Sequence, residues 1–282
     1  MKILKHLTYS LALILMIASC DKHEILFNTD PVADTDAEFQ LHYFEPITNN
    51  ADHYIDSVFV NDVLYSSVEG SGQLLPYNGV PGGATGRFFA VKSGDVNFKL
   101  YRKGDLIYNQ NVKLSPGKQN VIVHNLEKAP VVVDNGFPYW NTSSSSATPE
   151  TFDTDSVASV MFINMLYEDA TTPYQGKIQY QYQHARTKEW TNLGEPVGFG
   201  EATKRVTIRV VKTTFNSSGS CRVNYRMLDE NGNILKVANS NATSMKNYSD
   251  YWNAYIGRSY MHIFGGIRTA KPVCGVKQWT SL

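Results

Sequence analysis

The chain has 282 residues, with 26 Lys and Arg balanced by 26 Asp and Glu, so its formal net charge at pH 7 is zero. A near-neutral surface on which only 18% of residues are charged excludes the electrostatic footprint of a nucleic-acid-binding protein. Few charges and abundant Tyr, Asn, Ser and Thr are the palette of exported β-rich proteins, whose turns and wet faces use uncharged polar groups.

Lys2 and Lys5 precede an apolar run, Leu7 to Ile17, too short to span a bilayer, which takes about 20 apolar residues. Residues 1–19 therefore read as a signal peptide and are set aside from fold reasoning. The end of this segment, Ile17-Ala18-Ser19-Cys20, resembles a bacterial lipobox, with small residues before the cut and a thiol after it. The alternative is an ordinary secretory cut beside an incidental cysteine. The resemblance implies that Cys20 is lipidated and anchors the protein in the outer membrane. Two or three acyl chains hold stably, because each buried CH₂ adds about 0.8 kcal/mol and one chain alone is marginal. Asp21-Lys22-His23-Glu24 is similar to the charged tag that follows the lipidated cysteine in Bacteroidota lipoproteins sent to the cell surface, although His23 stands where an acid is usual; the alternative is an anchor facing the periplasm. Residues 20–37 read as a polar tether, in which Asp30, Asp34 and Asp36 lack the spacing of a calcium loop. No second long apolar run follows Cys20.

From Glu38 the pattern has period two. Phe39, Leu41 and Tyr43 alternate with Glu38, Gln40 and His42, as in a half-buried strand. Val58 and Val60 continue the pattern, and Asn61-Asp62 turns the chain into Val63-Leu64-Tyr65. Val96, Phe98 and Leu100 oppose Asn97, Lys99 and Tyr101, and Lys103-Gly104-Asp105 turns again. Leu106 to Leu114 and Asn120 to Leu126 complete a first all-β domain over residues 38–135. Turn signals at short intervals between alternating runs predict an antiparallel β-sandwich of the Ig-like or transthyretin-like kind.

Pro81-Gly82-Gly83, the strand of Val96 to Tyr101 and the turn Leu114-Ser115-Pro116-Gly117-Lys118 lie in or next to the segment Arg87 to Leu126. Together they are similar to the closing half of uncharacterised Ig-like modules of Bacteroidota surface lipoproteins. The resemblance implies a β-sandwich and carries no catalytic residues. It extends at most over residues 38–135.

Residues 136–155 contain Gly136, Pro138, Ser143 to Ser146 and Pro149, the composition of a linker, so a domain boundary is expected there. The cluster Phe137-Pro138-Tyr139-Trp140 reads as an interdomain plug or an exposed stacking surface. A second sandwich is expected over 156–282. Its signals are the apolar run Val157 to Leu166, the alternation of Ile178, Tyr180 and Tyr182 with Gln179, Gln181 and Gln183, and the turn at Asn231-Gly232. The two domains read as a weak internal duplication. Cys221 and Cys274 remain after Cys20 is assigned to lipid. Outside the cytoplasm they are expected to form a disulfide, the alternative being two buried thiols.

No catalytic, cofactor or metal site is expected. Asp95, Asp105 and Glu230 sit in turns, so no facing pair of carboxylates for glycoside hydrolysis emerges. His42, His53, His124, His184 and His262 are too scattered for a zinc site. There is no Gly-x-Ser-x-Gly elbow, and the glycines between 79 and 86 join strands rather than opening a helix. The most aromatic polar stretch is Tyr248 to Tyr255. Tyr251, Trp252 and Tyr255 are the candidates for stacking on sugar C–H faces, with Asp250 and Asn253 beside them for hydroxyls; the alternative is a satellite core. The expected function is a non-enzymatic, lipid-anchored surface protein that binds a glycan or a protein. A fimbrial subunit and a hydrolase with an unfamiliar site are the alternatives. The fimbrial one is weakened because no Lys or Arg lies between Lys22 and Arg87 for a maturation cut.

Overall fold

The computed structural model describes residues 34–67, 75–81, 88–135 and 155–281. The signal peptide, Cys20, the tether up to Ala33, the cluster Phe137 to Trp140 and the rest of the Ser- and Pro-rich segment lie outside the described residues. Eighteen strands and no α-helix are found among those described. Eight strands belong to the first half: β1 (Asp36–Tyr43), β2 (Ser57–Val60), β3 (Val63–Ser67), β4 (Phe89–Lys92), β5 (Gly94–Arg102), β6 (Asp105–Leu114), β7 (Gly117–Val123) and β8 (Val131–Asp134). The second half opens with β9 (Asp155–Tyr167), β10 (Gln179–Gln183), β11 (Trp190–Asn192), β12 (Val206–Val211) and β13 (Cys221–Leu228). It closes with β14 (Lys236–Ala238), β15 (Met245–Asn247), β16 (Ser249–Ala254), β17 (Ser259–Ile267) and β18 (Gly275–Ser281).

The first half folds into two sheets of order β4–β1–β7–β8 and β3–β2–β5–β6. The second half repeats that order as β12–β9–β17–β18 and β11–β10–β13–β16, with the β14–β15 hairpin added. Pairing directions repeat as well. Most ladders are antiparallel, as the short turns between strands lead one to expect, but β1 runs parallel to β7 and β9 parallel to β17. The tight hairpins follow from turn chemistry. Asn61 and Asp62 both adopt positive φ between β2 and β3, as do Lys103 and Gly104 between β5 and β6.

Three apolar layers hold these sheets. Phe39, Leu41 and Tyr43 of β1 meet Val58, Phe98 and Leu100 inside the first half. Val160, Phe162 and Phe264 meet Tyr180, Tyr225 and Trp252 inside the second. The third layer joins the halves. Phe44, Ile122 and Val133 from the first pack on Met161, Ile163, Met165, Met261, Ile263 and Trp279 from the second. Residues from Asp34 onward form one compact unit. The two sandwiches thus share a core across their inner sheets, where the sequence suggested a boundary marked by a linker.

The central strands of the first half's inner sheet, β1 and β7, are buried on both faces over most of their length. Gln40 and His42, which alternate like a wet face, are 3% and 0% exposed. Asn120 of β7 donates to Gln40 Oε1 at 3.0 Å and meets His42 Nε2 at 2.8 Å, and Asn135 donates to Asn120 Oδ1. This seam satisfies the buried amides and His42 Nε2, which would otherwise be expensive to bury, and leaves His42 Nδ1 without a partner among the described residues. His124 adds a second polar tie, its Nδ1 lying 2.7 Å from the Tyr167 hydroxyl across the halves. Arg205 adds a third, donating to the carbonyls of Tyr260 and Asn135.

The expected disulfide is not formed: Cys221 and Cys274 are buried free thiols. Geometry explains why. Cys221 Sγ lies 3.2 Å from Thr214 Oγ1, which bonds Val211, the residue opposite Asp155 at the start of β9. Cys274 lies beside Gly266, which is opposite Leu166 near the end of β9. At about 3.3 Å per residue those ends are some tens of ångströms apart, whereas a disulfide requires Cα atoms within about 7 Å. Burial pushes the Cys274 thiol up to about 12.

The packing of the inner sheets makes two predictions. A Cβ on Gly265 would lie 2.8 Å from Phe44 Cδ1, so Gly265→Ala overpacks the interface. It should lower the unfolding free energy by about 1–3 kcal/mol in urea titration, and Phe44→Leu in the same chain should recover part of the loss. Second, burial holds His42 and His262 down at about 3 and His124 at about 4, from an ordinary 6.5. Unfolded histidines take protons at the ordinary value while the folded ones stay neutral. Stability is therefore full above pH 6.5 and falls as pH drops toward 3–4, by up to about 1.4 kcal/mol per pH unit for each histidine. Thermal melts between pH 7 and pH 4 measure this slope, and His42→Gln should flatten it.

Candidate functional site

The outer face of the β11–β10–β13–β16 sheet carries the residues best suited to bind something. Its inner face is an aromatic floor. Tyr180 of β10 and Tyr225 of β13 stack at 5.1 Å with planes 8° apart, and Trp252 of β16 meets His262 edge-on at 4.8 Å. The Tyr180 hydroxyl lies 3.1 Å from His262 Nδ1, and burial raises the Tyr180 and Tyr225 phenols well above their ordinary range. These groups are sealed from solvent, so they brace the sheet and do no proton chemistry with a ligand.

Because side chains alternate, the other parity of the same strands points outward. The ladder places Gln183 opposite Trp190, and Asn224 opposite Tyr251. Tyr182 opposite Tyr225 sets Gln183 beside Asn224. One row therefore crosses all four strands: Trp190, Gln183, Asn224, Tyr251. Asn224 Nδ2 donates to Gln183 Oε1 at 3.0 Å in its middle. The next row is Asn192, Gln181, Arg226 and Ser249, with Gln181 Nε2 donating to Asn192 Oδ1 at 2.7 Å. On the other side Arg222 stands opposite Asn253.

The two arginines lean onto the central row from opposite sides. The Arg226 guanidinium lies 4.2 Å from the centre of the Trp190 ring, and that of Arg222 lies 3.7 Å from the centre of Tyr251. Each Nε–H is held by an amide oxygen, Arg226 on Gln181 at 2.8 Å and Arg222 on Asn224 at 3.2 Å. Cation–π stacking and these bonds fix the two planes. The one acidic residue in the four strands, Asp250, has the opposite parity and accepts from the Tyr251 backbone N–H and the Tyr225 hydroxyl. The result is a flat array of amides between two arginine-capped rings.

Of the three expected stacking residues, Tyr251 is on this face and 49% exposed. Trp252 is not. Its ring is 6% exposed and packs 4.6 Å from Tyr260, because neighbours on a strand point to opposite faces. Tyr255 is half-buried just beyond β16, with the Arg258 guanidinium 4.2 Å over its ring. Trp190, Arg222, Arg226 and Asn224 were not expected from the sequence. The only sequence signal was the run of glutamines alternating with tyrosines in β10. Among the described residues no three His, Cys, Asp or Glu side chains gather as a metal site would require.

No family model matches the chain, and no curated protein does. Among solved structures, the Bacillus anthracis TIE protein is similar at 6% identity with a TM-score of 0.21, over 81% of this chain and 33% of that one. A streptococcal ancillary pilin is similar at 11% identity with a TM-score of 0.18, over 79% of this chain and 60% of the pilin. The chain therefore spans less than two thirds of either, and likenesses this distant say nothing of what it binds.

Truncating the two neighbours on β16 separates floor from face. Trp252→Ala should cost about 3–5 kcal/mol of stability, whereas Tyr251→Ala should stay within about 0.5 kcal/mol. Urea titration of both variants checks the contrast.

Proposed function

We propose that this chain is a non-enzymatic cell-envelope lipoprotein, held at the cell surface through Cys20, that binds carbohydrate on the outer face of the β11–β10–β13–β16 sheet. The observation that carries the reading is the row Trp190, Gln183, Asn224, Tyr251, which sets amides between two aromatic rings across four strands. Primary amides donate and accept at once, which matches hydroxyls that also do both. Rings at both ends give apolar surface for sugar C–H groups. At about 4.8 Å per strand the row extends roughly 14 Å, the reach of a short oligosaccharide. The face is open and flat, so it suits a chain of sugars lying across it better than a small molecule that needs enclosure.

Residues 21–282, prepared without lipid, should bind a subset of a glycan array. Trp190→Ala and Tyr251→Ala should each weaken that binding about tenfold, equivalent to about 1.4 kcal/mol. Absence of binding to any glycan, or binding indifferent to both substitutions, overturns the assignment and turns attention to a protein partner.

A further inference from the structure

Resting on the carbohydrate reading above, we infer that the ligand of this face is an acidic oligosaccharide, its anionic groups received by the guanidinium ends of Arg222 and Arg226. Three observations lead there. First, both arginines are used only in part. Each spends its Nε–H on a neighbouring amide and one face of its plane on a ring, and neither meets a carboxylate among the described residues. Their terminal N–H groups form a planar fork, the geometry that matches a carboxylate or sulfate with two parallel bonds.

Second, the corresponding face of the first half is built differently. Its β5 carries a cation at Lys99, but that ammonium is neutralised by Asp62 of the β2–β3 turn at 2.5 Å. Arg102 and Arg268 likewise have glutamate partners, Glu45 and Glu168. The same strand order thus presents a neutralised face in one half and a positive face in the other.

Third, the arrangement is pre-ordered. The guanidinium planes are stacked and hydrogen-bonded before any ligand arrives, so little side-chain freedom is lost on binding. Both cations lean onto the central row from opposite ends, with Gln183 and Asn224 between them to take hydroxyls. An acidic sugar at each end and neutral hydroxyls in the middle fit that order. A nucleic acid fits less well, because two arginines on a chain with no net charge are a short cationic patch for a phosphate backbone.

The test uses residues 21–282 and a panel of uronate, sialate and sulfated oligosaccharides, each beside its neutral counterpart made by carboxyl reduction or desulfation. At least one acidic member should bind at least tenfold more tightly than its neutral partner, and its affinity should fall as NaCl rises from low to high concentration. Arg222→Gln with Arg226→Gln should erase the preference while leaving the melting temperature in place. Arg222→Lys with Arg226→Lys should retain only part of it, since Lys keeps the charge and loses the fork. Equal binding of acidic and neutral members overturns the inference and leaves the carbohydrate reading standing. Binding of neither overturns both. Tighter binding of single-stranded DNA than of any acidic glycan overturns the inference in favour of phosphate.

Discussion

The contact between the two inner sheets is the constraint that organises this molecule. A sheet in an ordinary sandwich is wet on one face, but the central strands β1, β7, β9 and β17 of the two inner sheets are buried on both faces over most of their length. Phe44 can approach β17 only because residue 265 has no side chain. Methionines 161, 165 and 261 fill the irregular space around it, as flexible thioethers do well. Beside this apolar layer runs the seam of Gln40, His42, Asn120 and Asn135. Such a seam has a fixed register, because a shift of one position would leave buried amides without partners. Two bodies that could have been beads on a string are thereby held as a single unit, and the outer sheets are left as the faces free to meet a partner.

Much of the strand pattern was legible. The alternations in β1, β5, β10 and β12 are written plainly, and the turn at Asn61-Asp62 is local chemistry that any sequence reader can apply. The burial of β1 on both faces was not legible. Gln40 and His42 look like a wet face, and only the amides of Asn120 and Asn135, far along the chain, make them a dry one. The run Val160-Met161-Phe162-Ile163, apolar at both parities, did carry the matching signal, since a strand with no polar parity has no wet side. Parallel pairing left no trace either, because period two is the same in both directions. The cysteine pairing failed for a related reason. Counting thiols ignores where a ladder puts them, and here it puts them at opposite ends of β9.

The candidate site was legible only at Tyr251. A reading along the chain groups Tyr251 with Trp252, although the pleat sends them to opposite sides of the sheet. The true neighbours of Tyr251 are Asn224, Gln183 and Trp190, which come from three other strands. Such a row exists only once register is set, and register depends on the hydrophobic parity of every strand together. The topological repeat sharpens the point. Both halves have the same sheet orders, yet β5 carries Asn97, Lys99 and Tyr101 outward where β13 carries Arg222, Asn224 and Arg226. The inner sheets hold to one plan because they must pack, while the outer faces carry different residues.

The parallel ladders also bear on how the chain must come together. Ala37 lies opposite Gly117, and Ser159 opposite Ser259. The opening strand of each half therefore occupies the middle of its inner sheet, yet one of its two neighbours is translated almost last. A polypeptide emerging from its N-terminus holds β1, and later β9, as an incomplete edge until that closing neighbour arrives. The entropy of closing so long a loop must be met before the ladder rewards it. Such topology folds slowly, and the waiting strands are a hazard for wrongful pairing between nascent copies.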